Sequence, residues 1–246
     1  MKKNPPTAPH GGRRDLEREL AGAGDKQRAK TLAWFFKTGK GEYAEGDRFL
    51  GLTVPALRRI ALRYRDLGLN DIDSLLASPV HEHRAAALEI LVAQFERSGE
   101  NALEKIVAFY LSHTHRVNNW DLVDGSAPYI LGAYLLGRPR EILDKLAASE
   151  NLWERRIAIV STFAFLKNGS VDDTFRIAER LLTDKHDLIH KATGWALREA
   201  GKVCAPALVR FLHKHYHELP RTTLRYAIER FPVEQRKQML RGLFPD

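Results

Sequence analysis

Residues 84–88 read Arg-Ala-Ala-Ala-Leu, and three later segments repeat this pattern of a basic or aromatic residue followed by small and apolar residues. The later segments are Trp120-Asp-Leu-Val-Asp124, Arg156-Ile-Ala-Ile-Val160 and Lys191-Ala-Thr-Gly-Trp195. Their first residues lie 36, 36 and 35 positions apart, and a weaker fifth unit begins near Arg221. A period in this range is typical of helical repeat proteins, because a helix pair buries its apolar face only against a neighbouring pair. The repeat therefore predicts an all-α solenoid.

The rest of the chain also has helical periodicity. Apolar residues recur at i, i+3, i+4 and i+7 from residue 88 to 95, from 103 to 110 and from 205 to 212. Asn151 with Glu154, and Ser170 with Asp173, resemble capping boxes and predict helix starts. No segment alternates as a strand does. The chain is therefore predicted to form about a dozen short helices in a HEAT-like α-α superhelix, curved around a concave groove where matching repeat positions meet.

The composition is that of a globular, basic protein. Of 246 residues, 44% are hydrophobic and 28% are charged, which excludes a disordered chain. Lys and Arg exceed Asp and Glu by 39 to 31, and the surplus lies at the ends: net +4 over residues 1–30 and net +5 over residues 202–246. A surplus of this size indicates a polyanionic partner, although basic ends also serve solubility alone.

Several classes of protein are excluded or disfavoured. Cys204 is the single cysteine, which excludes an internal disulfide framework and a Cys-rich zinc site. No apolar run approaches about 18 residues, and the first residues lack the apolar core of a secretory signal. We therefore expect a cytoplasmic protein. The Pro and Gly content of residues 1–12 predicts a flexible basic arm, followed by a single repeat domain over residues 13–246.

One helical segment carries residues suited to chemistry. Trp120 and Asp124 are spaced i, i+4, so they share a helix face. An aromatic ring beside a carboxylate stabilises a developing cation, the ring through its quadrupole and the carboxylate directly. Alternatively, Trp120 is a core anchor and Asp124 a solvated surface acid. Stacked repeats would bring Arg156 and Trp195 to the same groove.

These segments resemble those of the AlkD-type DNA alkylation repair glycosylases, a family of HEAT-like repeat enzymes. The similarity covers roughly residues 25–235 and is closest at residues 120–124, 153–156 and 191–198. It implies a monofunctional glycosylase that removes cationic alkylpurines, such as N3-methyladenine and N7-methylguanine, from duplex DNA while the lesion stays in or near the base stack. Three positions depart from the family: Asp187 and Leu188 stand where relatives carry aromatic residues, and Thr53 stands where they carry a larger amide.

The resemblance implies a role for each site residue. Asp124 would be the catalytic carboxylate, Trp120 and Trp195 the aromatic walls, and Arg156 a DNA contact at the site. An alkylated purine already carries positive charge, so it leaves without a general acid. A fixed carboxylate then stabilises the oxocarbenium-like sugar and positions the attacking water.

The partners and cofactors follow from the same interpretation. We expect the DNA backbone to be bound by Lys191, Arg198, Arg59 and Arg63, the last two of which could equally form a solvated helix face. The expected partner is double-stranded DNA containing alkylated bases, so the cytoplasmic protein would be associated with the nucleoid when it binds DNA. No cofactor, metal, membrane or obligate protein partner is predicted, and the chain is expected to be a monomer.

Two other interpretations remain open. A non-catalytic HEAT-repeat protein that binds DNA by shape would share the fold and the charge, and protein–protein scaffolds are common among solenoids. The run of His213, His215 and His217 resembles a metal tract, but only His213 and His217 are expected to share a helix face, with no third ligand nearby. A solvent-exposed surface position or a contact with the DNA backbone is the favoured role for this tract.

Overall fold

The computed structural model describes residues 11–245, and α-helices with short connections make up this part of the chain. In the first half they are α1 (Arg13–Gly22), α2 (Lys26–Phe35), α3 (Val54–Ala61), α4 (Leu69–Leu76), α5 (His81–Glu96), α6 (Glu100–Ser112) and α7 (Trp120–Asp124). In the second half they are α8 (Glu141–Ala147), α9 (Leu152–Ser161), α10 (Phe163–Lys167), α11 (Asp172–Arg180), α12 (Asp187–Val203), α13 (Ala205–Lys214), α14 (Arg221–Ala227) and α15 (Val233–Met239). Two 3₁₀ turns, Leu62–Tyr64 and Thr114–Arg116, and a π-helical turn, Pro128–Gly132, complete the helical elements.

The all-α prediction is confirmed. Between residues 11 and 245 the structure contains no strand, only an isolated bridge between Arg48 and Val80. Most of the predicted arm, residues 1–12, lies outside the described residues. The described chain begins just before α1, whose N-terminal cap is Gly12.

Backbone contacts divide the chain into a first unit, residues 1–126, and a second unit, residues 127–246. The repeat segments predicted from the sequence lie in α5 and α7 of the first unit and in α9, α12 and α14 of the second. Within the first unit α5 packs on α3, α4 and α7, and within the second unit α12 packs on α9, α13 and α14. Helices one period apart therefore contact each other, as in a helical repeat. The single-domain boundaries stay a prediction.

The cores of both units are made by small and branched apolar residues on repeat helices. In α5, Ala86, Ala87, Ile90 and Leu91 have no exposed surface. Burying such side chains is the main favourable contribution to folding.

In the second unit, Gly194 allows α12 and α14 to approach closely. A Cβ built there would lie 2.7 Å from the carbonyl oxygen of Thr223 and 2.5 Å from the Cβ of Tyr226. The Lys191–Trp195 segment therefore needs glycine at this position for packing.

The helix-start predictions had different outcomes. Asn151 caps α9, because its side-chain oxygen accepts a hydrogen bond from the Trp153 backbone N–H at 2.9 Å. The prediction at Ser170 was wrong, since α11 begins at Asp172 and follows Val171. The expectation that His213 and His217 share a helix face was also wrong, because α13 ends at Lys214.

Candidate active site

Trp120 is held at the start of α7 with one ring face covered. The side-chain oxygen of the buried Asn119 accepts a hydrogen bond from the Trp120 backbone N–H at 2.8 Å, so it caps this short helix. The indole stacks on Phe36 with a centroid distance of 5.2 Å and an interplanar angle of 12°, and it meets the edge of Phe35 at 6.1 Å. Trp120 is only half-buried, so it is not the fully enclosed core anchor of the alternative interpretation.

A second layer of rings lies beneath Phe36. Phe49 stacks on Phe36 at 5.1 Å, and the imidazole of His81, at the start of α5, stacks on Phe49 at 4.6 Å. His81 also contacts Phe36 at 5.1 Å. We call these residues the aromatic cluster: Phe35, Phe36, Phe49, His81 and Trp120. Sequence reasoning missed all of them except Trp120, although the run of three aromatic residues at 34–36 was a visible signal.

His81 is buried among charged groups. Its Nε2 lies 2.8 Å from Oδ2 of Asp121 and its Nδ1 lies 3.5 Å from Oδ2 of Asp47, which also accepts a hydrogen bond from Arg84 at 2.6 Å. Burial and the charge of Arg84 lower the pKa of His81, but the interactions with Asp121 and Asp47 outweigh them and raise the pKa to about 9. Burial raises the pKa of Asp47, but His81 and Arg84 outweigh it and lower the pKa below its usual value. At neutral pH the network therefore contains an imidazolium between two carboxylates.

The neighbouring Glu82 holds the backbone that follows Phe49. Its buried carboxylate accepts hydrogen bonds from the backbone N–H groups of Leu50 at 2.9 Å, Gly51 at 2.7 Å and Leu52 at 3.3 Å. Gly51 has φ +87°, and a Cβ there would lie 2.1 Å from the carbonyl oxygen of Asp25. The Glu82 carboxylate and Gly51 therefore fix the backbone conformation of the segment that follows Phe49.

An apolar cleft of about 190 Å³ opens beside the aromatic cluster. Apolar side chains line most of it, among them Leu32, Leu52, Leu57, Leu88 and Leu122. His81 and Asp121 border the cleft. At its lining Arg58 donates two hydrogen bonds to Glu89, at 2.9 and 2.8 Å.

Asp124 lies one helical turn after Trp120 and is half-buried. Next to it is Tyr110, which is buried and shares a 3.0 Å hydrogen bond with the Ser126 hydroxyl. Burial raises the pKa of Tyr110, the bond to Ser126 lowers it, and the negative charge of Asp124 raises it, so the phenol stays protonated. Trp120 and Asp124 thus occupy the first and last positions of α7, one helical turn apart.

In the second unit, Arg156 and Trp195 lie on helices that pack against each other. Arg156 is buried on α9, and its guanidinium donates to the Leu188 carbonyl oxygen of α12 at 2.8 Å. Trp195 of α12 is half-buried and contacts Phe163, with a centroid distance of 4.4 Å and an interplanar angle of 47°. Each unit therefore presents a half-buried tryptophan supported by a phenylalanine.

A family model described as DNA alkylation repair enzyme matches residues 16–231, which is most of the chain. The chain belongs to this family. A solved structure described as a predicted DNA alkylation repair enzyme from Enterococcus faecalis matches with a TM-score of 0.67 at 16% identity, over 85% of this chain and 97% of that one. The match supports the helical repeat fold, and the AlkD-type resemblance is confirmed. Among curated proteins there was no significant match.

The four cations predicted to bind DNA differ in their surroundings in this DNA alkylation repair family member. Lys191 forms an ion pair with Asp187 at 2.7 Å. Arg198 is paired with Glu229, and Arg63 with Glu19. Arg59, unlike the other three, is exposed. Of the four, Arg59 is therefore the most accessible to a phosphate.

The histidine run of this family member is dispersed by the fold. His213 is exposed and stacks on Phe244 at 5.3 Å, whereas His215 is buried against Phe211 and lies 3.3 Å from Glu179. No group of three or more His, Cys, Asp or Glu side chains within residues 11–245 is arranged to hold a metal ion. In the same part of the chain, every helix is too short or too polar to cross a membrane.

Proposed function

We propose that this chain is a monofunctional DNA glycosylase that hydrolyses the N-glycosidic bond of cationic alkylated purines in duplex DNA, without flipping the base into a pocket. N3-methyladenine and N7-methylguanine are the proposed substrates. The observation that carries the proposal is the short helix α7, which presents a half-buried tryptophan and a half-buried carboxylate one turn apart in a member of the DNA alkylation repair family.

Asp124 is the catalytic carboxylate of this proposal. As the glycosidic bond breaks, the base leaves neutral and positive charge develops on the deoxyribose. A fixed carboxylate stabilises that charge and orients a water molecule for attack on the anomeric carbon. Bases without a positive charge should be released slowly, because no residue of α7 is suited to protonate a leaving base.

The two tryptophans supply aromatic faces. Trp120 has one face against Phe36 and Trp195 is supported by Phe163, so each ring is fixed before DNA arrives. An indole face attracts a cationic sugar through its quadrupole. The proposed role of Arg156 is a contact to the DNA backbone near the lesion.

The surface of α2 supports duplex DNA as the partner. This helix has no buried residue, and its C-terminal end carries Trp34, which is 81% exposed, and Phe35, which is 54% exposed. Lys26, Arg28 and Lys30 lie on the same helix. Exposed aromatic rings among cations are typical of nucleic-acid contacts, in which rings stack on bases or sugars and cations neutralise phosphates.

The test is base release from duplex DNA containing N7-methylguanine, measured in single-turnover experiments with wild type and Asp124→Asn. We expect Asp124→Asn to lower the rate constant by at least about 100-fold with little change in DNA affinity. Asp172→Asn, which removes an exposed carboxylate of α11, is the matched control and should release base at the wild-type rate.

Three outcomes would count against this function. Equal release by wild type and Asp124→Asn would remove Asp124 from the chemistry. DNA binding without release of any cationic base would favour the non-catalytic, shape-reading alternative. DNA binding that is weak and insensitive to salt would favour a protein scaffold.

A further inference from the structure

We infer that His81 is a positioning residue for this reaction: through its contacts to Asp121 and Phe36 its buried side chain holds α7 in the orientation that presents Trp120 and Asp124. The inference rests on the proposed glycosylase function, because it explains how the proposed site is kept in place. His81 itself touches neither the sugar nor the base in this scheme. It acts through its contacts to Asp121 and to the rings beneath Trp120.

The first contact is direct. His81 Nε2 lies 2.8 Å from the carboxylate of Asp121, which directly follows Trp120 in α7. A helix of five residues is too short to be stable alone, so tertiary contacts determine its orientation. Since Trp120 and Asp124 are the first and last residues of α7, release of Asp121 would move both together.

The second contact runs through the aromatic cluster. The imidazole packs on Phe36 at 5.1 Å, and Trp120 stacks on Phe36 at 5.2 Å. Phe49 covers another face of the imidazole at 4.6 Å. His81 therefore supports α7 both at its backbone, through Asp121, and at its tryptophan, through Phe36.

The charges around His81 balance only while it is protonated. Asp121 faces it from α7, Asp47 from the segment before α3, and Arg84 from one turn further along α5. Glu82 is engaged by the backbone of residues 50–52, and on the cleft side Arg58 is paired with Glu89. Arg84 neutralises Asp47. Loss of the imidazolium charge would thus leave Asp121 without a cation among the described residues.

The structure predicts when this support is lost. Since Asp121 and Asp47 raise the pKa of His81 to about 9, the imidazolium persists through neutral pH and is lost above it. Base release should therefore fall as the pH rises through about 9. Asp121→Asn removes the main charge that raises the pKa and also weakens the contact that holds α7. Base release should therefore be slower than in wild type at neutral pH, and its fall should occur at lower pH.

The experiment combines kinetics with a direct titration of His81. Single-turnover release from N7-methylguanine duplex DNA is measured from pH 6 to about 9.5, with uncatalysed release subtracted at each pH, for wild type, His81→Gln and Asp121→Asn. We expect His81→Gln to release base about tenfold more slowly at neutral pH, to lose the alkaline fall and to bind DNA as wild type does. NMR of the imidazole Cε1–H should titrate near pH 9 in wild type and lower in Asp121→Asn.

His83→Gln is the matched control. His83 is on the same helix, but its Nδ1 bonds the Ser78 hydroxyl at 3.0 Å and not α7, so its replacement should leave rate and pH profile unchanged. Thermal unfolding shows whether each variant folds. If His81→Gln does not fold, the shift of the alkaline fall in Asp121→Asn tests the positioning role instead. Wild type that releases no base refutes the glycosylase function itself. Wild-type release with unchanged rates and pH profiles in both His81→Gln and Asp121→Asn refutes only the positioning role.

Discussion

Replacing Glu82 by Gln tests how the segment beneath the candidate site is held. Oε1 of Glu82 accepts from Gly51 and Leu52, and Oε2 accepts from Leu50. Glutamine has the same size but only one acceptor oxygen. The glutamine amide loses fewer bonds when its oxygen takes the place of Oε1 and accepts from Gly51 and Leu52. Its NH₂ group then faces the N–H of Leu50. Two bonds lose their charge, and the part-buried N–H of Leu50 loses its acceptor.

The expected cost follows from these three bonds. A hydrogen bond to a charged group contributes about 1.5–3 kcal/mol and a neutral one about 1 kcal/mol, so weakening two bonds costs about 1–4 kcal/mol. The unsatisfied, part-buried donor of Leu50 costs about 1 kcal/mol more. We therefore expect Glu82→Gln to lower the free energy of unfolding by about 2–5 kcal/mol, a large part of the stability of a typical domain.

Urea unfolding measures this loss, and amide hydrogen exchange locates it. The amides of residues 50–52 should exchange much faster in Glu82→Gln than in wild type. Glu89→Gln is the matched control on the same helix, because Glu89 pairs with Arg58, whose side chain is 55% exposed, and such pairs contribute at most about 1 kcal/mol. A loss below about 1 kcal/mol in Glu82→Gln, or an equal loss in both variants, would refute this account of the segment.

Four further outcomes are expected. Gly51→Ala should lower the yield of folded protein severely, because its Cβ would meet the Asp25 carbonyl oxygen at 2.1 Å; a normal unfolding midpoint would contradict this. The pKa of His81 is about 9 in the folded protein and near 6.5 in the unfolded chain, so protonation of His81 contributes about 3 kcal/mol to the free energy of unfolding. This contribution is complete below pH 6.5 and is lost as the pH rises through about 9. Urea unfolding at pH 7 and pH 10 measures the difference. Trp34→Ala should weaken DNA binding about tenfold or more without changing the unfolding midpoint, measured by fluorescence anisotropy and calorimetry. Arg59→Gln should reduce by about one the slope of log affinity against log salt concentration, and an unchanged slope would exclude Arg59 as a phosphate contact.

The repeat helices could be predicted from the sequence because their signals are local. Small and apolar residues at helical spacing place one face of each helix in the core, and this pattern is visible in any window of a dozen residues. The Arg156–Val160 and Lys191–Trp195 segments accordingly lie in α9 and α12, which pack together. Asn151 was identified as a cap for the same reason, since its partner is two residues away.

The support beneath Trp120 could not be predicted because its contacts join distant positions. Glu82 bonds backbone groups about 30 residues earlier, and His81 pairs with Asp121, 40 residues later. Nothing local distinguishes His81 from His83, because both are histidines in the first turn of the same helix. In the structure His83 bonds Ser78, whereas His81 is directed at Asp121 of α7 and is buried beside the candidate site.

Net charge is an equally indirect guide to the cations that DNA can reach. The surplus of eight positive charges indicates a polyanion, but ion pairs within the fold occupy many of the arginines that produce the count. Arg84 is paired with Asp47, Arg155 with Asp184 and Arg63 with Glu19, and two of these pairs span more than 30 residues. A cation that is already paired gains less from a phosphate, because it must first give up its carboxylate. Affinity for DNA should therefore depend on accessible cations such as Arg59 more than on the total, and the salt dependence of single arginine variants measures that difference.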